Sequence, residues 1–235
     1  MSKFPITAIL IALIVSCVNQ TNAADVFAVN NTNFDADYYA SQNTGKYGVI
    51  ILTGSGGGKS EGFAKRVSAL GYSVLSLSYF DRASSKNGLP ETLEMIPLEY
   101  FEEPKQWLMD RPETNSEGVI VIAWSKGAEL SLVLAERDLD YKGIVAIAPS
   151  AVVWSGQPED FSKMSSASSS WSLKGEPLPF VPYISRKGHK KTGLKALIKN
   201  WHASSLISYL AQHEEGGPAF IKSDIIKSPM LLLSG

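Results

Sequence analysis

The chain has 235 residues, of which 44% are hydrophobic and 19% are charged, and its formal net charge at pH 7 is -1. This composition excludes a disordered chain and supplies enough apolar surface for one sizeable core, so a single domain is expected. An even charge balance, with a pI near 6.3, gives no electrostatic reason to expect a nucleic acid as partner.

The first segment has the pattern of an export signal. Lys3 supplies a positive charge, an apolar run extends from Phe4 to Val15, and Thr21-Asn22-Ala23 fits a small-residue cleavage site. The apolar run is too short to predict a membrane-spanning helix. Residues 1–23 are therefore predicted to be a signal peptide, followed by an α/β domain over residues 24–235.

The only cysteine offers a second fate for this segment. Cys17 ends a stretch that resembles a bacterial lipobox, and cleavage before it would leave residues 1–16 as a lipoprotein signal. The exported protein is accordingly expected to be periplasmic or secreted, with membrane anchoring through a lipid on Cys17 as the alternative to a thiol discarded with the signal. Either way the mature domain has no disulfide.

Short aliphatic runs bounded by Gly or Pro alternate with helix-like stretches after a polar lead-in, residues 24–45. This alternation predicts an α/β fold with a mostly parallel sheet covered by helices on both faces. The predicted strands are Tyr47–Thr53, Tyr72–Phe80, Gly118–Trp124, Gly143–Pro149 and Met230–Ser234. The predicted helices are Ser60–Leu70, Leu98–Asp110, Lys126–Asp138 and Asn200–Gln212, and Pro104 is expected to kink or split the second of them.

A glycine-rich loop, Gly54 to Ser60, follows the first predicted strand and precedes a helix. Its end matches a phosphate-binding P-loop, but Thr53 stands where that motif has its first glycine, and Asp81 is the only nearby candidate for a magnesium ligand. The competing interpretation is an oxyanion hole, in which backbone N–H groups of Ser55 and Gly56 approach a reacting carbonyl. A plain tight turn would need the same glycines.

The stretch from Gly118 to Leu130 has the pattern of a nucleophile elbow. A buried strand runs into Ala123-Trp124-Ser125-Lys126-Gly127, and a helix follows at once. This order matches the G-x-S-x-G motif, except that Ala123 replaces its first glycine. Ser125 is therefore the predicted nucleophile, and the N–H group of Lys126 is the predicted first donor of the oxyanion hole.

The alternation of strands and helices stops after Ala151. A Ser-rich tract, several prolines and five aromatic residues follow, and we expect residues 151–199 to form a cap over the serine. Trp154 and Trp171 are candidates to line an acyl pocket, with simple packing as the competing interpretation. The basic run Arg186–Lys191 either meets phosphates of a substrate or is a solvated loop.

The segments around these motifs resemble a known family. Residues 49–80, GLPETLEMIPLEYFEEPKQWL, GVIVIAWSKGAELSLVLA, IVAIAPSAVVW and SSWSLKGEPLPFVPY are similar to the C-terminal catalytic domain of the acyl-CoA thioesterases and bile acid-CoA:amino acid N-acyltransferases. The resemblance extends from Gly48 to Tyr183 and weakly to Gly235. It implies an α/β-hydrolase fold, a nucleophile at Ser125 and an acyl ester or thioester substrate, including coenzyme A esters.

The chain departs from that family at both ends. The family's eukaryotic enzymes have a β-sandwich domain before the hydrolase domain, and their acid and histidine follow the strand that corresponds to Met230–Ser234. The three histidines here, His189, His202 and His213, precede that strand and are expected to be solvated or packed at the surface, with recruitment of one of them as the base as the competing interpretation. Asp224 also precedes the strand and is expected in a loop. A chain incomplete at its C-terminus and a true truncation are the two explanations, and the first is the expectation.

The leading hypothesis is a serine hydrolase that acts on an acyl thioester or ester through an acyl-enzyme on Ser125. The alternative is a non-catalytic, ligand-binding α/β protein of the cell envelope that lacks a complete triad. No metal or cofactor is predicted, because the sequence contains no paired Cys or His spacing.

Overall fold

The computed structural model describes residues 26–29, 31, 33–82, 88–183, 194–213 and 217–234, with only the backbone given for residues 194–200. The predictions about the signal segment and Cys17 lie outside these residues, and so do those about Arg186–Lys191 and His189. Within the described part, no helix is long and apolar enough to cross a membrane.

The central element is a seven-stranded sheet. Its strands are β1 Val26–Ala28, β2 Asp35–Tyr39, β3 Lys46–Leu52, β4 Val74–Ser78, β6 Thr114–Trp124, β7 Tyr141–Ile147 and β10 Met230–Leu233. They lie in the order β1-β2-β4-β3-β6-β7-β10. The five strands predicted from the sequence are the five that pair in parallel. The prediction of a mostly parallel sheet is confirmed.

No strand was predicted in the polar lead-in over residues 24–45. It contains β1 and β2, which pair with each other and, through β2, with β4 in antiparallel register. In β2, the alternating polar and apolar residues have a strand period, and Ala36 and Tyr38 are buried. Five residues with two aspartates are too short and too polar for that period to stand out in the sequence.

In the described part of the chain, four α-helices accompany the sheet: α1 Glu61–Ser68, α2 Glu102–Met109, α3 Lys126–Ala135 and α4 Leu194–Leu210. Ala64 and Val67 of α1 pack on one face of the sheet against Val49, Ile51 and Val74. Side chains of α2 and α3 join the larger apolar cluster on the other face. Helices therefore cover both faces, as expected for nearly continuous aliphatic strands.

The predicted helix Leu98–Asp110 is divided into two parts. A 3-10 turn occupies Leu98–Phe101, and α2 begins at Glu102, which places Pro104 in its first turn. Proline is tolerated there because the first N–H groups of a helix have no intrahelical acceptor. Pro104 thus lies close to a helix start, and not in a kinked helix interior.

Residues 151–183 form an irregular layer with short pairings. A small sheet combines β5 Ile96–Pro97, β8 Trp171–Leu173 and β9 Glu176–Pro177 in the order β5-β8-β9. A second apolar cluster brings this layer together with helix α4, through Trp154, Tyr183 and Trp201 among others. The cap predicted over residues 151–199 stays a prediction.

Candidate active site

Ser125 occupies a sharp turn between strand β6 and helix α3. Its backbone has φ 53° and ψ -121°, which lies in the left-handed half of conformational space where a residue with a Cβ atom is strained. The Ser125 N–H group donates to the carbonyl of Ile147 at 2.9 Å, and the Ser125 carbonyl accepts from Glu129 N–H at 3.0 Å. These bonds hold the strained turn, and the side chain is exposed.

Two glycines allow the chain to pack closely around this turn. A Cβ atom on Gly54 would lie 2.9 Å from the Cβ atom of Ser125, and one on Gly127 would lie 2.4 Å from the carbonyl oxygen of Thr53. Neither distance is sterically acceptable, so both positions require glycine. At Ala123, by contrast, a methyl group is accommodated in the core with no solvent exposure, which explains why this departure from the motif is tolerated.

The glycine-rich loop lies directly beside Ser125 and is fixed by side chains from two other segments. Gln157 Nε2 donates to Ser55 Oγ at 2.9 Å, and Arg82 Nε donates to the Ser55 carbonyl at 3.3 Å. Among the described residues, no acceptor takes a hydrogen bond from the N–H groups of Ser55, Gly56 or Lys126. Within the described part of the chain these three N–H groups therefore have no protein partner, and Ser55 and Lys126 line the pocket that contains Ser125.

The P-loop interpretation of the same loop finds no support in the contacts of Lys59. Its Nζ atom lies 2.9 Å from carboxylate oxygens of both Asp35 and Asp37. These contacts raise the pKa of Lys59 against the opposing effect of burial, which is the largest single influence. A phosphate would have to displace two carboxylates to reach this lysine.

A pocket of about 490 Å³ opens over Ser125. Its walls include Ser55, Gln157, Trp154, Tyr183 and His202. The Tyr183 hydroxyl and His202 Nε2 share a hydrogen bond of 2.8 Å, and Trp154 stacks on Tyr183 with ring centroids 5.2 Å apart. The pocket thus combines a hydroxyl, one aromatic wall and several polar groups.

Of the other candidate residues from the sequence, Trp171, His213 and Asp224 lie outside the pocket. Trp171 is completely buried behind the pocket, whereas Trp154 lines it. His213 stacks on Tyr209 with its Nδ1 atom 2.9 Å from the Tyr209 carbonyl oxygen, and Asp224 is exposed in a 3-10 turn. The described residues contain no cluster of three His, Cys, Asp or Glu side chains that would hold a metal ion.

The family model described as BAAT / Acyl-CoA thioester hydrolase C terminal matches residues 96–235, more than half of the chain. The chain belongs to this family. Human mitochondrial acyl-coenzyme A thioesterase 2 is 35% identical over 134 residues, which cover 57% of this chain and 24% of the relative. Mouse acyl-coenzyme A amino acid N-acyltransferase 1 is 41% identical over 88 residues, which cover 37% and 20%. The chain spans about a quarter of the length of these relatives.

The fold of this BAAT and thioester hydrolase family member is shared with solved structures. Hypothetical protein PA2218 from Pseudomonas aeruginosa has a TM-score of 0.52 at 18% identity, over 91% of this chain and 78% of that chain. The strand order, the helices on both faces and the elbow at Ser125 together make this an α/β-hydrolase fold.

Two features of the site were not predicted from the sequence. His202 was expected at the surface, but it lies in the pocket wall and is only partly exposed. Lys126 and Glu129 form a buried ion pair next to Ser125, with the Lys126 Nζ atom 3.0 Å from Glu129 Oε1. The signal for this pair was present, because a Lys and a Glu three positions apart interrupt an otherwise apolar helix. Nothing in the sequence near His202 indicated its place.

Proposed function

We propose that the protein is a serine hydrolase that cleaves an acyl thioester or ester through an acyl-enzyme on Ser125. The observation that carries the proposal is the exposed Ser125 side chain in a strained turn, at a pocket beside N–H groups with no protein acceptor among the described residues. A strained serine between a strand and a helix is the arrangement that nucleophilic acyl transfer uses in this fold.

In the proposed reaction, Ser125 Oγ attacks the carbonyl carbon of the acyl group and loses its proton to a base. The negative charge that develops on the carbonyl oxygen is stabilised by the N–H groups of Lys126 and of Ser55 or Gly56. The tetrahedral intermediate collapses to an acyl-enzyme and expels the thiol or alcohol, which takes up the proton. Water then attacks the acyl-enzyme and releases the acid.

The base has two candidates. The family resemblance predicts a histidine that follows β10, oriented by an acid in the same part of the chain. Among the described residues, His202 is the histidine that lines the pocket with Ser125. Its hydrogen bond to Tyr183 holds the ring in place, and that arrangement also suits a contact with a polar group of the substrate.

The substrate is proposed to be a small acyl thioester or ester. The names of the human and mouse relatives refer to acyl-coenzyme A thioesterase and N-acyltransferase activities, and serine as nucleophile favours hydrolysis over transfer to an amine. We place the Trp154 wall against the acyl group. Because residues 1–23 predict export to the periplasm, cell surface or medium, a thioester or ester available there is the expected substrate.

A fluorophosphonate probe, which reacts with activated serines, tests the assignment in the full-length protein. We expect labelling of the wild type and none of Ser125→Ala. A His202→Asn variant that still labels at the wild-type rate would exclude His202 as the base, and loss of labelling would assign the base to His202. A folded wild type that does not label would refute the assignment as a serine hydrolase and favour the non-catalytic alternative.

Export and anchoring are tested separately by cell fractionation. The proposal predicts that the protein leaves the cytoplasm, and that Cys17→Ala releases it from the membrane fraction if a lipid on Cys17 anchors it. Recovery of the wild type in the cytoplasm would refute export without affecting the assignment of Ser125.

A further inference from the structure

Lys126 and Glu129 form an ion pair in the first turn of α3, immediately after Ser125. Lys126 is 5% exposed and Glu129 is 1% exposed, and every other residue of the helix is buried as well. The Nζ atom lies 3.0 and 3.1 Å from the two carboxylate oxygens. An ionic pair is thus enclosed in an apolar helix directly behind the proposed nucleophile.

The pair also connects α3 to the layer that forms the pocket wall. Lys126 Nζ donates to Ser170 Oγ at 2.7 Å. Glu129 Oε1 accepts from the Trp171 indole N–H at 2.9 Å and from the Trp154 backbone N–H at 3.2 Å. Since Trp154 stacks on Tyr183 and touches His202, these bonds fix one wall of the pocket relative to the elbow.

Stability alone does not account for a buried ion pair at this place. Replacement of such a pair by apolar residues of similar volume is often neutral or stabilising, since the loss of hydration offsets the attraction. A lysine in the first turn of a helix also opposes the helix dipole. Burial lowers the pKa of Lys126 and raises the pKa of Glu129, while their mutual attraction opposes both shifts.

We propose that the Lys126–Glu129 pair positions the site for acyl transfer by holding the Lys126 N–H group and the Trp154 wall in fixed register with Ser125. The inference rests on the proposed function, because it assigns the Lys126 N–H group to the developing oxyanion. Two parts of Lys126 are involved. Its backbone N–H group is assigned to the reacting oxygen, and its side chain is bonded to Ser170 and Glu129. Displacement of a reacting group by about 1 Å is enough to slow an enzyme about a hundredfold.

The test uses the double variant Lys126→Met with Glu129→Gln. It removes both charges, and the amide oxygen introduced at position 129 still accepts from the two tryptophan N–H groups, so no buried charge is left unpaired. We expect the fluorophosphonate labelling rate to fall about tenfold to a hundredfold. The maximal rate of labelling should fall, whereas the probe concentration that gives half of this rate should not change. The midpoint of urea unfolding should stay unchanged or rise.

Lys105→Met is the matched control. Lys105 is also buried and paired with carboxylates, those of Glu102 and Asp138, but it lies on α2 outside the pocket. We expect this variant to unfold at lower urea concentration and to label at the wild-type rate.

Three outcomes would overturn the inference alone. The first is a double variant that labels like the wild type, which leaves the proposed function intact. The second is a double variant that loses labelling and stability together, and the third is an equal loss of labelling in Lys105→Met, since either result reduces the pair to a structural element. A wild type that does not label refutes the proposed function and this inference with it.

Discussion

Gly127→Ala tests the close contact between helix α3 and strand β3. The new Cβ atom would lie 2.4 Å from the Thr53 carbonyl oxygen and 2.7 Å from that of Leu52. Both obstacles are backbone atoms at the end of a central strand, so no side chain can rotate away. A carbon-to-oxygen contact of about 3.3 Å would require α3 to move by about 0.9 Å from its strand.

Two opposing effects determine how much the free energy of unfolding changes in Gly127→Ala. Overpacking of this kind costs about 1–3 kcal/mol, and the better helix propensity of alanine returns up to about 1 kcal/mol. We therefore expect the free energy of unfolding to fall by about 1–2 kcal/mol. Because the same shift moves Ser125 and the Lys126 N–H group, fluorophosphonate labelling should slow by at least about tenfold.

Gly62→Ala provides the control for the same chemical change. Gly62 is exposed in α1, and a Cβ atom there would meet nothing within 4 Å. Urea unfolding should show this variant as stable as the wild type or more stable by up to about 1 kcal/mol, with unchanged labelling. If Gly127→Ala proves as stable as Gly62→Ala, α3 does not approach β3 this closely.

Two further predictions concern contacts of the site. Trp171→Phe removes the indole N–H group that donates to Glu129 and leaves a void in the core. The free energy of unfolding, measured by urea titration, should therefore fall by about 2–4 kcal/mol. A loss below about 1 kcal/mol would contradict this contact. Gly54→Ala brings a methyl group to 2.9 Å from the Cβ atom of Ser125, so labelling should slow by about tenfold. Labelling of Gly54→Ala at the wild-type rate would mean that the loop yields there.

The sequence predicted the parallel part of the sheet because hydrophobicity alone determines it. Strands covered on both faces are nearly continuous aliphatic runs, as in Val49–Leu52 and Val119–Ile122, and they stand out without knowledge of their neighbours. Strands β1 and β2 did not stand out because β1 has only three residues and β2 is short and partly polar. The place of β2 depends on its pairing with β4, and that of β1 on its pairing with β2, which are tertiary contacts.

The residues of the site likewise fall into two groups, those predictable from local sequence and those brought together by tertiary contacts. The elbow and the glycine loop are local in sequence, so Ser125, Lys126 and Ser55 were named as candidates from residue order, and all three line one pocket. His202, on the contrary, reaches the pocket only because α4 packs against Trp154 and Tyr183, and these three residues are far apart in the chain. The contact of Glu129 with Trp171 likewise joins residues 42 positions apart. Residue spacing carries no information about such contacts.

The conformation of Ser125 has a consequence for how this protein evolves. At a φ of 53° the conformational energy of a glycine is lower than that of a residue with a Cβ atom by about 1 kcal/mol. Random substitution filtered only for folding would therefore tend to replace this serine. A lineage that keeps the serine accepts lower stability, and a lineage without the proposed acyl transfer should drift toward glycine at this position. The residue found there in related chains therefore tests the proposed role of Ser125.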